Sequence, residues 1–432
     1  MKTAQIVIGS GFGDEGKGLF TDYLSSQSEK NACVVRFNGG AQAGHTVHTT
    51  DGKRHVFSHF SSGSFAGLPT FLSQYYVCSP ITFLREQKEL LRYGVKPNIF
   101  VDELCPVTTP YDIMINQIVE QSRGNNRHGS VGIGFGETLE RHLHNQYALT
   151  VDTIKDIDRL RSKLNMIQDQ WAPERLASLG IKDISDEWAE RFNSEDIREK
   201  YIKDVEQFLA HVTVVPSLYL NKWDHLIFEG AQGLLLDQNR GWFPHVTRSN
   251  TGIRNVLSLL EGSDLKELDV YYLSRSYTTR HGAGPLPNEL SQLPYKGIVD
   301  ETNRPHQYQG NLRFAWFDAD LFRDTVLRDL ADGAGRFNLR PHVAMSCLDQ
   351  IEGNARYISK GVLHSTSTEA LLNLVRKEIG ATSGLASFGP TRATIQSFSV
   401  SPIVGRTRLN KGLSCLNSLT LRAPHDTAKV SC

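Results

Sequence analysis

The stretch Gly11-Phe12-Gly13-Asp14-Glu15-Gly16-Lys17-Gly18 sets two carboxylates and a lysine inside a glycine-dense loop. Its G-x-x-x-x-G-K spacing is that of a phosphate-cradling loop, except that Gly18 stands where a Ser or Thr normally holds Mg²⁺. Backbone N–H groups ahead of a helix N-terminus suit phosphate oxygens. A glycine loop taken alone fits an ordinary strand-to-helix turn about as well. The carboxylates tilt the reading, because placing them against a phosphate site is costly unless a metal or a proton acceptor is needed there. Asp14 is then the loop oxygen to which a metal would turn. His45 follows Gly44 in a second glycine-rich loop. A lone histidine is more often a satisfied core or surface residue, but beside a phosphate loop an imidazolium can stabilise a developing oxyanion. Gln232, in Gly230-Ala231-Gln232-Gly233, carries amide donors and acceptors suited to a nucleobase or a carbonyl. On its own it is equally an ordinary loop glutamine.

The elements around these loops read as strands that run into glycine turns. Gln5-Ile6-Val7-Ile8 precedes the first loop and Leu19 to Ser25 follows it as a helix. Cys33-Val34-Val35-Arg36-Phe37 runs into Asn38 to Thr46, and Leu226-Ile227-Phe228-Glu229 runs into the Gln232 loop. Asp269 to Leu273 and His342 to Met345 are further strands. An open α/β sheet places such loops at its ligand-binding edge. Residues 151–211 are charged, helical in period and poor in Gly, and predict a helical insertion. Length alone allows two or three domains, or one large α/β domain with insertions. Neither a fixed-period repeat nor a low-complexity linker divides the chain, so 1–432 is expected to be one elaborated domain.

Composition excludes several classes. With 39% hydrophobic and 22% charged residues the chain is neither disordered nor collagen-like. Lys+Arg 47 balances Asp+Glu 47, so no bulk signature of nucleic-acid binding exists. No apolar stretch approaches the roughly 20 residues of a membrane span. The N-terminus places Asp14 and Glu15 where a signal-peptide cleavage site would fall. Six scattered cysteines without a CxxC pair predict reduced thiols and a cytoplasmic location.

Taken in chain order, Gly13-Asp14-Glu15-Gly16-Lys17-Gly18, Gly44-His45-Thr46, Phe228-Glu229-Gly230-Ala231-Gln232-Gly233, Val246-Thr247-Arg248-Ser249-Asn250-Thr251 and Arg280-His281-Gly282-Ala283-Gly284-Pro285 resemble the adenylosuccinate synthetase family. A weaker echo continues through Cys347-Leu348-Asp349 and Ser387-Phe388-Gly389-Pro390-Thr391-Arg392. The fold expected is α/β: a P-loop-like, open, mostly parallel twisted sheet with helices on both faces and the helical insertion. The resemblance implies a C–N bond-forming ligase of purine nucleotide biosynthesis. In that reaction GTP phosphorylates the 6-oxo group of a purine nucleotide, IMP, and the amino group of aspartate displaces the phosphate. By the same resemblance Asp14 takes the N1 proton and helps to hold Mg²⁺, to which Gly44 lends a carbonyl. His45 donates to the phosphoryl oxygens, and Lys17 with Gly13, Glu15, Gly16, Gly18 and Thr46 holds the donor phosphates. Asp349, Ser387, Phe388 and Gly389 line the donor base, while Gln42, Ser130, Val131, Gln232 and Thr247 hold the purine nucleotide. The partners implied are small molecules and a second copy of the chain, with neither nucleic acid nor membrane.

Several positions depart from the family pattern. Its aspartate loop is rich in threonines and arginines, because a dicarboxylate calls for several planar cationic forks. The matching segment, Tyr308 to Trp316, keeps only Arg313, with Arg304 and Arg280 as further candidates, so Arg313 is expected to face the amine donor. Aspartate held differently and another amine both stay open. The family's guanine-reading lysine is Cys347, although Asp349 is kept, which leaves GTP and another triphosphate as donors. Gln42 replaces an asparagine, and Val131, in Ser130 to Gly136, replaces a phosphate-binding hydroxyl. The arginine that family members lend to a neighbouring subunit falls near Asn145, with Arg141 one turn earlier as a substitute. The alternatives are thus a paralogue acting on dGMP or GMP, with ATP or with another amine, and a non-catalytic nucleotide-binding homologue. Asp14, Lys17, His45 and Gln232 together argue against the last, since a pure binder needs no proton acceptor beside its phosphate loop.

Overall fold

A computed structural model describes residues 2–28, 31–124, 132–299 and 312–399. The chain divides into the units Met1–Ser399 and Val400–Cys432, and all described residues lie in the first. Its centre is a ten-stranded sheet in the order Ile395–Ser399, Ser383–Ser387, Asn338–Ser346, Glu267–Arg275, Thr3–Gly9, His225–Gly233, Ala32–Arg36, Thr70–Leu72, Ile99–Asp102, Thr213–Val215. Every neighbouring pair is parallel except the edge strand Ile395–Ser399, which runs antiparallel to Ser383–Ser387. A parallel sheet is covered on both faces, so its strands are near-continuous apolar runs. Ile6, Val7 and Ile8 are accordingly all buried.

Each face has its own cover. On one, Leu19, Phe20 and Leu24 of the helix Lys17–Ser26 pack on Val7, Val34, Ile227 and Leu273. On the other, Ile6, Ile8, Phe228 and Tyr272 meet Val256, Phe322, Val326 and Leu371 from the helices Arg254–Leu259, Ala319–Ala331 and Thr368–Glu378. Each such large side chain contributes about 1.5–3 kcal/mol on burial.

The helical excursion begins earlier than residue 151. Ile99–Asp102 and Thr213–Val215 are parallel neighbours, and a parallel pair needs a crossover. Here the crossover is residues 103–212, which adds the helices Pro110–Ser122 and Phe135–His142 to those from Val151–Ile154 to Glu195–His211. These helices share their own core, around Ile115, Leu160, Trp171 and Phe208. No helix among the described residues is long and apolar enough to cross a membrane.

Thr3–Gly9 sits between His225–Gly233 and Glu267–Arg275, and the strands that end in the glycine loops all point their carboxyl ends the same way. Ligands of open α/β sheets bind outside those ends. A second, five-stranded sheet holds Tyr277–Arg280, Arg313–Asp318, Ala355–Ser359 and Val362–Thr366, with Glu289–Leu290 paired to Arg313–Asp318. A separate hairpin pairs His45–His48 with Arg54–Phe57, so His45 opens a strand and does not sit in the middle of a loop.

Candidate active site

The glycine loop is held from inside. Glu15 Oε1 accepts from the N–H groups of Gly11 at 3.0 Å and Gly13 at 2.8 Å, and Lys17 Nζ donates to Glu15 Oε2 at 2.9 Å and to the Gly13 carbonyl at 2.7 Å. Both side chains are buried. A carboxylate thus fills part of the anion nest that a phosphate occupies in an ordinary loop of this spacing. The amides that remain belong to the helix start. Gly16, at φ 90°, caps Lys17–Ser26 in the left-handed conformation, without a side-chain cap and without an acid in the first turn. Gly16, Lys17 and Gly18 line a cavity there, which is the arrangement that attracts phosphate.

Gly18 has a packing reason. A Cβ at that position would stand 2.7 Å from the Thr46 carbonyl oxygen and 3.1 Å from the His45 carbonyl carbon. The helix therefore rests directly on the His45–Thr46 backbone, and the usual hydroxyl residue does not fit. Gly18→Ser should destabilise the fold by about 1–3 kcal/mol, the usual cost of overpacking. A urea midpoint equal to that of the wild type would show that this contact is looser than drawn.

His45 is oriented by a buried carboxylate. Its Nδ1 lies 2.7 Å from Glu229 Oε1, and its Nε2 is buried with no partner among the described residues. Ser62 donates to Glu229 through its N–H at 3.1 Å and through its hydroxyl. Arg36, in register opposite Glu229 on the neighbouring strand, brings Nε to 4.0 Å. Burial pushes the Glu229 carboxyl up, but His45 and Arg36 outweigh it and hold it down at about 2. Burial lowers His45 to about 4, against the pull of Glu229. Glu229 is thus the anion and Nδ1 carries the hydrogen, leaving Nε2 to face the cavities. A phosphate arriving at Nε2 would make both neighbours of the ring anionic and favour its protonated, donating form. Glu229→Gln should leave donor affinity near wild type and slow the reaction about 10- to 100-fold, the scale for removing the partner that orients a working histidine. Unchanged turnover would take Glu229 out of this role.

Two cavities meet at this point. The first, roughly 590 Å³, is lined by the loop and helix start, by Thr46, and by Arg275, Asp349 and Gly389. The second, roughly 490 Å³, is lined by Gln42, Gln232, Thr247 and Arg280. Gly13, Asp14, Gly44 and His45 line both. Asp14 is partly buried, with His281 Nε2 3.7 Å from its Oδ2, and Arg275 Nε donates to its backbone carbonyl. Burial lifts its carboxyl above the usual range, against the pull of His281 and Arg275. That is the state of a carboxylate poised to take a proton. Gln42 has both amide atoms buried without a partner among the described residues. Gln232, at φ 61°, presses its side chain against Gly13, where a Cβ would be 3.3 Å from Oε1. Asn38 ties the second and third loops, donating to the Ala231 carbonyl at 3.0 Å and accepting from its N–H at 2.7 Å.

Other expected residues are placed differently. Ser387 is buried and donates to the Gly389 carbonyl at 2.8 Å, while the Phe388 ring is 39% exposed, so Gly389 alone of the three lines the first cavity. Cys347 lines it too, in the left-handed conformation at φ 61°. Arg313 lines neither cavity. Its Nε donates to Glu289 Oε1 at 2.8 Å, its Nη2 to Oε2, and its Nη1 to the carbonyls of Gly282 at 3.0 Å and Gly284 at 2.8 Å. The guanidinium expected to face the amine donor is thus spent on holding the 282–284 turn. Arg280 is buried, donates to the carbonyls of Pro285 and His245 at 2.8 and 3.1 Å, and lies 4.5 Å over the Phe12 ring. Arg141 is excluded as a cation offered to another subunit. It is fully buried and donates to Asp112, Val107 and Tyr147 at 2.6–2.9 Å. Ser130, Val131 and Arg304 lie outside the described residues.

Glu229 and Arg36 escaped the sequence reading of roles. One signal was available: each is a lone charge in an otherwise apolar strand, and a buried charge demands a partner. No three His, Cys, Asp or Glu among the described residues form a metal cluster. One carboxylate, Asp14, and one carbonyl, Gly44, beside a phosphate cavity nevertheless fit Mg²⁺, which takes one or two carboxylates and completes its shell with phosphate oxygens and water.

A mostly parallel α/β sheet with two cavities joined at one carboxylate and one imidazole has the fold and site of an α/β enzyme that brings two bound ligands together. Residues 6–382 match the family model described as adenylosuccinate synthetase. The adenylosuccinate synthetase of Neisseria gonorrhoeae (strain ATCC 700825 / FA 1090) is 32% identical over 330 residues, 74% of this chain and 73% of that protein. That of Tolumonas auensis is 30% identical over 339 residues, 76% of this chain and 74% of that protein. The chain belongs to the adenylosuccinate synthetase family, whose members are ligases of purine nucleotide biosynthesis. Two solved structures share the fold. A fully ligated adenylosuccinate synthetase from Plasmodium falciparum superposes with TM-score 0.67 at 18% identity, over 90% of this chain and 98% of that one. Cyanophage S-2L succinoaminodeoxyadenylate synthetase, bound to dGMP and to dATP as energy donor, superposes with TM-score 0.59 at 15% identity, over 92% and 95%.

Proposed function

We propose that this chain joins aspartate to IMP at the expense of GTP, through a 6-phosphorylated purine nucleotide. The observation that carries the reading is the junction of the two cavities at Asp14 and His45. With the purine nucleotide in the second cavity, Asp14 takes the N1 proton as O6 attacks the γ-phosphorus of the donor in the first. The O6–P bond forms, the bond from the γ-phosphorus to the bridging oxygen breaks, and GDP carries away its electron pair. The amine then bonds to C6 and inorganic phosphate departs. His45 Nε2 faces the transferring oxygens, positioned by Glu229 and Ser62, and the amides at the start of Lys17–Ser26 meet the donor phosphates. Mg²⁺, held by Asp14 and the Gly44 carbonyl, would neutralise charge on those phosphates. Gln42, Gln232 and Thr247 hold the purine nucleotide, and Asp349 reads the donor base. We further place the protein in the cytoplasm as a homodimer, in keeping with its family and with free Cys33, Cys78, Cys105 and Cys347.

Phosphate release measured over a matrix of IMP, GMP and dGMP, GTP and ATP, and several amines tests this reading. Release that requires IMP, GTP and aspartate together is expected. A requirement for dGMP, for ATP or for another amine would assign the chain to a related ligase. Absence of release with every mixture would leave only a binding role.

A further inference from the structure

Beyond the residues assigned above, the second cavity has a wall built from the helices Pro110–Ser122, Phe135–His142 and Ala172–Ser178, and arginines stand along it. They differ in how fully they are paired. Arg175 forks onto Glu137 at 2.7 and 3.3 Å with Glu140 at 3.4 Å. Arg280 is buried and donates to two backbone carbonyls, with its Nε left without a partner among the described residues. Arg123 donates through one nitrogen to Glu120 at 2.7 Å. Arg248 has the most exposed side chain of the four, 47% against 31% for Arg123 and 15% for Arg175, and its one ion-pair partner among the described residues is Glu140, which leaves most of the five guanidinium donors for a ligand. It lies across the start of the helix Phe135–His142, where a Cβ on Gly136 would be 4.0 Å from Arg248 Cδ. That helix start, capped by Gly134 at φ 82° with no side-chain cap, lines the same cavity. Gln42, with both amide atoms buried and without partners among the described residues, lines it as well.

We propose that Arg248 binds the 5′-phosphate of the purine nucleotide, so that the cation for this group comes from the same chain as Gln232 and Thr247. The inference rests on the proposed nucleotide substrate and extends it to Arg248, which stands inside the 246–251 motif but has no role assigned there. Phosphate is a better partner for a guanidinium fork than a shared carboxylate. On binding, Arg248 exchanges Glu140 for the phosphate, and Glu140 remains paired because Arg175 already reaches it. The helix start adds its amides to the same oxygens.

Calorimetric titration of the full chain with IMP and with inosine, which lacks the phosphate, tests the proposal. Arg248→Ala should weaken IMP roughly 10- to 100-fold, the scale of one charge-assisted contact, and leave inosine unchanged. Arg248→Lys should recover part of the loss, and Glu140→Gln, which frees Arg248, should bind IMP at least as tightly as the wild type. An equal loss for nucleotide and nucleoside, or none for either, overturns the assignment. Should Arg248→Ala fail to fold, the same comparison is made with Arg248→Gln, which keeps the stem. The phosphate-release matrix run beside it separates the two readings. Turnover without a phosphate-selective loss removes only Arg248. A phosphate-selective loss without turnover removes only the ligase reading. A wild type that binds neither IMP nor dGMP removes both.

Discussion

Asp14→Asn is expected to lower turnover by a hundredfold or more, the range in which a positioned general base contributes, while donor affinity changes much less. The side chain keeps its shape and loses its charge, and with it the ability to accept the N1 proton and the anionic contact to Mg²⁺. Asp14 lies where both cavities meet, so no other carboxylate among their lining residues on the loop can replace it: Glu15 is committed to the Gly11 and Gly13 amides and to Lys17. The pH dependence follows in sign. Asp14 must be ionised to act, and burial raises its carboxyl above the usual range. Turnover of the wild type should therefore fall at acid pH as Asp14 takes up a proton, and the residual activity of Asp14→Asn should lack this limb. Steady-state rates from pH 4.5 to 8 would show it. Turnover near wild type in the variant would remove Asp14 from the chemistry.

His45→Ala is expected to slow phosphoryl transfer on the order of 10²–10³-fold, the scale of deleting one donor to a developing oxyanion. Positional isotope exchange between the bridging and non-bridging oxygens of the donor triphosphate reads the step directly, apart from amine attack and product release. The structure adds a constraint. Because His45 is held neutral at about 4 by burial before any ligand arrives, its donating form depends on the phosphates and on Glu229 behind it. His45→Ala and the double variant with Glu229→Gln should consequently be almost equally slow, since Glu229 acts through His45. Isotope exchange at the wild-type rate in His45→Ala would refute the assignment, and a double variant much slower than the single one would show that Glu229 acts by another route.

Much of the site was legible because it is local. The Gly13 to Gly18 run follows an apolar strand, Gln232 lies in the last residues of the strand His225–Gly233 and not in a loop beyond it, and Gly44-His45 closes the loop that follows Ala32–Arg36. A parallel sheet aligns such ends along one edge. Nothing local told how the charges inside those loops are used. Glu15 reads as a phosphate-site residue and turns inward to staple its own loop. Arg313 reads as the cation left for the amine donor, yet a hairpin brings Glu289 and the 282–284 carbonyls to it first. Arg141 reads as a surface substitute and is buried against Asp112, 29 residues before it on another helix.

The sequence by itself determined the class of the protein: strand, glycine loop and helix are set by backbone freedom and apolar runs over a few residues, and Asp14, Lys17, His45 and Gln232 stand within those runs. Only the tertiary structure decided the electrostatics. His225–Gly233 takes its place beside Ala32–Arg36, and that register alone puts Arg36 opposite Glu229 and Glu229 against His45. Gly18 is explained only by the hairpin backbone lying on it. The reason is one of range: loop conformation is settled by neighbours in the chain, whereas the state of a buried charge is settled by whichever distant segment packs close enough to pair with it before water is excluded.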